Sequence, residues 1–308
     1  MNSIWRLTRK VNSKQLGVVL RRLTILGNND FYFQHAWARF ASALTVNIGR
    51  KTVKKVLLTL GVICFSLIVA HISPAEIDFE SAVGIWLFDE GKGGVAKDLS
   101  GQGNDGEVVK APWVDGKFGK ALDFDGKAGC VKTGQKLLEA LEEFTILAWI
   151  QSTDDPPART GLVGQNNAPE FGFITTNELS LWTPSAGLTN NPWKHKHGDG
   201  NWHHVGCVAT QDYVHTYIDG EYAEQKGKWG NHGAAPFDVN IGGCGVWDPG
   251  GNFFPGLMDE VMIFHSALEQ EDIQELMDKG YQNYLAVDPE GKLETTWGRI
   301  KATHHIRQ

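Results

Sequence analysis

Nine residues, Asp98 to Gly106 (DLSGQGNDG), combine three glycines, two aspartates, an asparagine and a serine. Such a run is a loop, because glycine opens positive φ and Asx and Ser side chains hydrogen-bond their own backbone in tight turns. The same composition gathers carboxylate and carbonyl oxygens, the hard ligands that Ca²⁺ takes. Two readings therefore stand side by side: an ion-free Asx/Gly turn and one half of a Ca²⁺ site.

Other residue types with chemistry are fewer. His195, His197, His203 and His204 fall within ten residues, and the HKH triplet is able to chelate a soft divalent ion. Adjacent His203 and His204 face opposite sides of a strand, so a satisfied, half-buried ring is the competing account. Glycoside hydrolysis needs two carboxylates flanking one bond, about 5–5.5 Å apart in retaining enzymes. On a strand that means acids at i and i+2 or i+4, and no Glu-x-Asp-x-x-Glu-like run occurs. Asp259 and Glu260 are neighbours and alternate across a strand; Asp123 and Asp125 share a face but abut a turn at Gly126. A Gly-x-Ser-x-Gly elbow and a phosphate loop are both absent. The expectation is a protein that is not an enzyme.

Nine of the eleven tryptophans lie after residue 75. Trp86 and Trp149 sit in apolar runs. Trp182, Trp193, Trp229 and Trp247 fall in or beside loops rich in Pro, Gly and Asn, where an aromatic can stack on a sugar ring or anchor a protein. The loop Gly242–Pro255 (GGCGVWDPGGNFFP) is the most distinctive. A ligand-binding rim is expected there and at Trp193, with Trp193, Trp247, Asn252 and Phe253 as its residues.

The four cysteines are Cys64, Cys130, Cys207 and Cys244, with no CxxC pair. Cys64 falls in an apolar stretch, leaving three, so at most one internal disulfide. Cys207 with Cys244 is the first pair to test; three buried thiols are the alternative.

The elements that must position these residues follow from the chain's punctuation. The 308 residues hold 29 Lys+Arg and 36 Asp+Glu, and eleven of the basic residues but one acid (Asp30) lie in the first 55 positions. Residues 76–308 thus carry 18 basic and 35 acidic side chains, a balance that repels phosphate backbones and excludes nucleic acid as a partner. Val56–Ala70 is fifteen uncharged residues, preceded by Lys51, Lys54 and Lys55 and followed by Ser73-Pro74-Ala75. This is the layout of a signal peptide over 53–75, with an uncleaved anchor as the alternative. Residues 1–52 read as a gene-model extension upstream of a start at Val53, or as a disordered basic segment. Export to the cell surface or medium follows as the expected localisation, with any membrane attachment confined to that segment.

From Glu76 the pattern is short apolar runs cut by Gly and Asx turns: Ala82–Asp89, Phe144–Gln151, Phe171–Thr176, Glu178–Trp182, Trp202–Thr210, Tyr213–Asp219, Phe237–Gly243 and Leu257–Phe264. Phe144–Gln151 (FTILAWIQ) reads as a strand buried on both faces. Gln211-Asp212 and Asp219-Gly220 read as hairpin turns. Such spacing predicts an all-β sandwich. Glu269–Lys279 breaks it, with early acids, Ile273, Leu276 and Met277 at helical spacing, and Gly280 as the stop: a short C-terminal helix. Residues 286–308 are a polar tail.

The motifs WLFDEG (86–91), DLSGQGNDG (98–106), GKFGKALDFDG (116–126), FTILAWI (144–150), NWHHV (201–205), YIDG (217–220), PGLMDEV (255–261) and Ala267-Leu268 occur in one order over about 195 residues. In that order they resemble the laminin-G-like, concanavalin A-like jelly rolls of exported bacterial proteins. The resemblance implies a two-sheet antiparallel jelly roll over 76–285. It also implies a structural Ca²⁺ where the early loop meets the last strand, held by Asp98, the Asn104 region, backbone carbonyls near Gly103, and Asp259. An ion on both Asp98 and Asp259 would close a long loop and constrain the unfolded chain. The resulting expectation is an exported, Ca²⁺-stabilised, non-catalytic module that recognises a glycan or an extracellular protein. A structural or adhesive domain without a small ligand is the competing class, and a jelly-roll glycoside hydrolase the third.

Overall fold

The computed structural model describes residues 77–286 apart from 249 and 251. The basic segment 1–52, the apolar segment 53–75 with Cys64, and the tail beyond residue 286 lie outside the described residues. Sixteen strands form two antiparallel, unclosed sheets. The first holds β1 (Ala82–Trp86), β4 (Trp113–Asp115), β5 (Lys120–Asp125), β7 (Phe144–Ser152), β12 (His203–Ala209), β13 (Tyr213–Ile218), β14 (Glu221–Lys226) and β16 (Pro255–Phe264). Its order is β14-β13-β12-β7-β16-β5-β4, with β1 also on β16. The second holds β2 (Val95–Ala96), β3 (Gly106–Val109), β6 (Cys130–Lys132), β8 (Thr160–Gln165), β9 (Glu170–Thr175), β10 (Glu178–Thr183), β11 (Gly187–Pro192) and β15 (Val239–Ile241). Its order is β11-β10-β9-β8-β15-β6-β3-β2. The two-sheet sandwich and its jelly-roll class agree with the sequence expectation.

Alternation of side chains on β7 explains why that strand is apolar throughout. Ile146, Ala148 and Ile150 enter the core between the sheets, beside Leu162, Phe171, Phe173, Leu179 and Leu181 of the second sheet. Leu147 lies on the opposite face, in a second cluster with Val208, Met262 and Phe264. That cluster is capped by α1 (Gln270–Lys279), which buries Ile273 and Leu276, and by Tyr281 and Tyr284 of α2 (Tyr281–Ala286). Full burial of each such aliphatic side chain contributes about 1.5–3 kcal/mol. Gly280, at φ 69°, ends α1 as expected.

Turn chemistry sets the hairpins. Asp219 (φ 51°) and Gly220 (φ 80°) are the two residues between β13 and β14, the paired positive φ of a I′ turn. The loop between β12 and β13 is one residue longer than Gln211-Asp212, since Thr210 leaves the ladder and its hydroxyl accepts from the Asp212 and Tyr213 N–H groups. The first strand stops at Trp86 rather than Asp89, because Phe88 turns through φ 55°.

The disulfide joins Cys130 to Cys244, with Cα atoms 5.8 Å apart. Cys207 is a buried thiol in the core. The first-choice pairing of Cys207 with Cys244 is therefore corrected. Cys207 lies in the middle of β12 in the first sheet, while Cys130 opens β6, the neighbour of β15 in the second sheet.

Candidate ligand-binding pocket

Register carries one row of residues across the whole second sheet. Glu107 pairs with Lys132, Lys132 with Asn240, Asn240 with Gly164, Gly164 with Glu170, Glu170 with Trp182, and Trp182 with Leu188. The adjacent row, Val108, Val131, Ile241, Val163, Phe171 and Leu181, packs in the core. Because strand side chains alternate, the first row faces away from the core. Seven strands at about 4.8 Å spacing make this outward face about 29 Å long.

A loop divides that face. Residues Gly242 to Asn252 leave β15 and rise over β8, where two glycines make room. A Cβ on Gly161 would sit 2.4 Å from Val246 Cβ, and one on Gly164 would sit 3.1 Å from Val246 Cγ1. The loop is tied at three points. Cys244 is bonded to β6, the Gly161 N–H donates to the Asn252 carbonyl at 2.9 Å, and the Trp247 indole donates to the Thr160 carbonyl at 3.2 Å.

On one side of the loop lies a pocket of about 360 Å³, lined by Arg159, Asn166, Asn167, Glu170, Ile174, Trp182, Leu188, Trp247 and Asp248. On the other is a broader hollow of about 710 Å³ between Asp105, Glu107, Lys132, Asp238 and Asn240. In the smaller pocket Arg159 is the organising side chain. Its Nη2 donates to the Trp247 carbonyl at 2.9 Å, its Nε donates to Asp248 Oδ2 at 3.2 Å, and its guanidinium lies 5.5 Å from the Trp247 ring centre. Asn252 Nδ2 donates to the same Asp248 Oδ2 at 2.9 Å. Arg159 (φ 62°) and Asn167 (φ 62°) both adopt left-handed backbone, which costs about 1–3 kcal/mol for a residue with a Cβ and concentrates at binding sites. Glu170 is buried and accepts the Asn167 N–H at 2.7 Å. Burial pushes its carboxyl up to about 7, against the pull of that N–H and of Arg159 and with a further push from Asp248.

Of the expected rim residues, the structure brings Trp247 to the pocket wall and Asn252 against Asp248. Trp247 is only 3% exposed, so it frames the pocket instead of projecting from it. Phe253 is half-buried and does not line the pocket. The expectation of a rim at Trp193 is corrected. Trp193 is a buried core residue, edge-on to Phe173 at 5.1 Å, because the β10–β11 hairpin folds it under the sheet end. Sequence reasoning passed over Arg159, Asn166, Asn167 and Glu170 as site residues, and noted Trp182 only as one of four loop-side tryptophans. The only signal for them is the outward row of β9 and β10, which needs register to be seen.

The proposed ion ligands fall into two sets with different partners. Asp98 organises its own loop. Its Oδ1 accepts the Ile85 and Ser100 N–H groups at 3.0 and 2.9 Å, and its Oδ2 accepts the Ser100 hydroxyl and the Asn104 N–H at 2.8 and 2.9 Å. Asn104 offers its carbonyl to the Trp86 indole at 3.0 Å and its amide NH₂ to the Val83 carbonyl at 2.7 Å. Gly103 takes φ 79° within that turn. The Asp98 oxygens are thus filled by donors, and a shell of Asp98, Gly103, Asn104 and Asp259 does not fit a cation.

Asp259 is different. It is fully buried, its Oδ2 accepts the Phe118 N–H at 2.9 Å, and its Oδ1 has no hydrogen-bond partner. Burial pushes its carboxyl up to about 8, against the Phe118 N–H, with Glu260 and Asp89 adding to the rise. It sits where β16 changes neighbour from β5 to β1, at a bulge in which Glu260 takes φ 46°. The bulge defeats simple alternation, so both acids are buried. Glu260 accepts the Tyr281 N–H at 3.1 Å and is likewise pushed up, to about 7.

Among the described residues, no helix is long and apolar enough to cross a membrane. A family described as the concanavalin A-like lectin/glucanases superfamily, Laminin_G_3, matches residues 125–274. No curated protein matches. Similar solved structures include domain 4 of AbnA, a GH43 extracellular arabinanase from Geobacillus stearothermophilus, in complex with arabinotriose. It is 20% identical with a TM-score of 0.49, over 64% of this chain and 98% of that one. The binding domain of Paraclostridial Mosquitocidal Protein 1 is 16% identical with a TM-score of 0.48, over 65% of this chain and 52% of that one. A mutant of Trypanosoma rangeli sialidase displaying trans-sialidase activity is 18% identical with a TM-score of 0.49, over 65% of this chain and 33% of that one. The family match runs from the last residue of β5 into α1 and takes in β6 to β16, so that this part of the chain is similar to the laminin-G-like branch of the concanavalin A-like superfamily.

Proposed function

We propose that this protein is an exported, non-catalytic binding module that takes a glycan in the pocket between Trp182 and Trp247. The observation that carries the proposal is the pocket's composition. The Trp182 indole and Ile174 give apolar surface for sugar C–H faces, with Trp247 framing the wall. Arg159, Asn166, Asn167, Glu170 and Asp248 give donors and acceptors that match paired hydroxyls. Its volume of about 360 Å³ suits one or two sugar rings, and the outward row along the sheet offers a track for a longer chain. The superfamily's description as lectins and glucanases supports the same reading. The Cys130–Cys244 disulfide supports export, since such bonds persist in oxidising compartments.

A structural Ca²⁺ belongs to the proposal at Asp259 rather than at Asp98. The unpartnered Oδ1 of Asp259, with Asp89 nearby, would hold it. A bound Ca²⁺ would supply the positive charge that this buried carboxylate lacks.

The test is glycan-array screening followed by calorimetry with the full chain. Trp182, half-buried at the pocket wall, is the residue to change, since Trp182→Ala leaves the core intact. Loss of binding in Trp182→Ala and Arg159→Ala supports the proposal; a wild type that binds no glycan overturns it in favour of an adhesive domain. A hydrolase is the second reading, favoured by one observation: Glu170 is pushed up to about 7 beside Asp248, as a general acid would be. Release of reducing ends that disappears in Glu170→Gln would establish it.

A further inference from the structure

Away from the pocket, beside the buried Trp193, three metal-ligating side chains converge. His195 follows β11 of the second sheet. His203 opens β12 and Asp219 sits in the β13–β14 turn, both in the first sheet. One ligand atom from each lies within 4.8 Å of the others. Asp219 Oδ2 is 2.8 Å from His203 Nδ1 and 3.2 Å from His195 Nε2, and the two imidazole centres are 3.8 Å apart.

We propose that His195, His203 and Asp219 form a site for a late first-row divalent cation, Zn²⁺ in the first instance, with one coordination position left to water. Bonds of about 2.0–2.1 Å at tetrahedral angles put neighbouring ligand atoms about 3.3 Å apart. The two measured contacts to Oδ2 are within half an ångström of that edge. Two nitrogens and one oxygen are a donor set that suits Zn²⁺ and disfavours Ca²⁺.

The surroundings fit a site that is already shaped. The other carboxylate oxygen of Asp219 accepts the His204 N–H at 3.0 Å, which leaves Oδ2 aimed at the imidazoles. The I′ turn holds Asp219 at φ 51°. Trp193 walls the site, its ring 5.1 Å from both His195 and His203. His203 is nine-tenths buried and turns its Nδ1 to Asp219 Oδ2. The His195 and Asp219 side chains are 35% and 38% exposed, so an ion can enter from solvent. His197 is not among the converging ligands; its Nε2 is engaged with the Thr176 carbonyl at 2.8 Å. His204 points to the other face, edge-on to Trp149. An occupied site would tie the exit of β11 to the β12–β13–β14 hairpins, linking the ends of the two sheets.

The test uses the full chain stripped with EDTA. Zn²⁺ is titrated by calorimetry, and Co²⁺ serves as a spectroscopic probe. One equivalent of Zn²⁺ is expected to bind and raise the melting temperature, and one of Co²⁺ to give visible absorption bands of a four- or five-coordinate site. His195→Ala and Asp219→Asn are expected to weaken Zn²⁺ at least 100-fold with unchanged circular dichroism, and His215→Gln, another imidazole beside a carboxylate, to bind as wild type does. The proposal fails if the wild type takes up no stoichiometric Zn²⁺, if His195→Ala binds equally well, or if excess Ca²⁺ displaces the ion.

Discussion

Cys130 and Cys244 are joined across 114 residues, and the bond pins to β6 the loop that three residues later supplies Trp247 to the pocket wall. One covalent link thus serves both the sandwich and the site. Closing a loop of this length removes conformational freedom from the unfolded chain, worth roughly 2–5 kcal/mol in related cases. The double variant Cys130→Ala/Cys244→Ala is expected to lose stability in that range in urea melts. Glycan affinity should fall with it, since the wall loses its anchor; an unchanged affinity would detach the loop from the site.

Gly161 has the narrower role of letting the loop lie flat. A Cβ there would meet Val246 Cβ at 2.4 Å, so Gly161→Ala must lift the loop or bend β8. Overpacking of this kind costs about 1–3 kcal/mol. Glycan affinity is expected to drop at least tenfold by calorimetry, while the disulfide still forms.

Asp98 stitches the sheets together through hydrogen bonds to its carboxylate. Its loop joins β2 to β3 of the second sheet, and its carboxylate takes the Ile85 N–H of β1 in the first. Asp98→Ala leaves three backbone N–H groups without their acceptor, at roughly 1 kcal/mol or more each. A loss of about 3 kcal/mol is expected, equal in EDTA and in Ca²⁺. A loss seen only in Ca²⁺ would return Asp98 to the ion shell.

Buried carboxylates give the stability a pH slope. Asp259 is pushed up to about 8, and Glu170 and Glu260 to about 7, whereas unfolded carboxylates titrate near 4. Between these values these three carboxyls keep protons that the unfolded chain has released, so their contribution to stability falls as pH rises from about 4 through 8. Buried His204, held down to about 4, acts in the opposite direction below about 6.5. Asp259→Asn is expected to flatten the upper part of that decline in urea melts run in EDTA. Ca²⁺ should stabilise the wild type most at pH 8, where Asp259 must ionise, and should not act on Asp259→Asn.

Much of the architecture was legible in the residues alone. β7 announced itself as an unbroken apolar run, α1 by its acids, its helical spacing and Gly280, and the β13–β14 turn by Asp219-Gly220. Those signals are local, and local chemistry suffices for them. β8 (TGLVGQ) and β11 (GLTNNP) gave weaker patterns, because glycines that make room for a loop and polar residues on an outer strand both dilute the period.

Tertiary structure alone decided the sites. The outward row from Glu107 to Leu188 exists only once seven strands are in register, so no spacing along the chain displays it. A bulge at Glu260 put on one covered face, against Phe118 and Tyr281, two acids that alternation would have sent to opposite faces. Trp193 looked like a rim residue in its Pro- and Asn-rich context and is core, whereas His195, His203 and Asp219 are scattered over 25 positions and meet at one oxygen. Sequence sets which residues form strands and turns; which side chains face one another depends on pairing, and pairing is a property of the whole sheet.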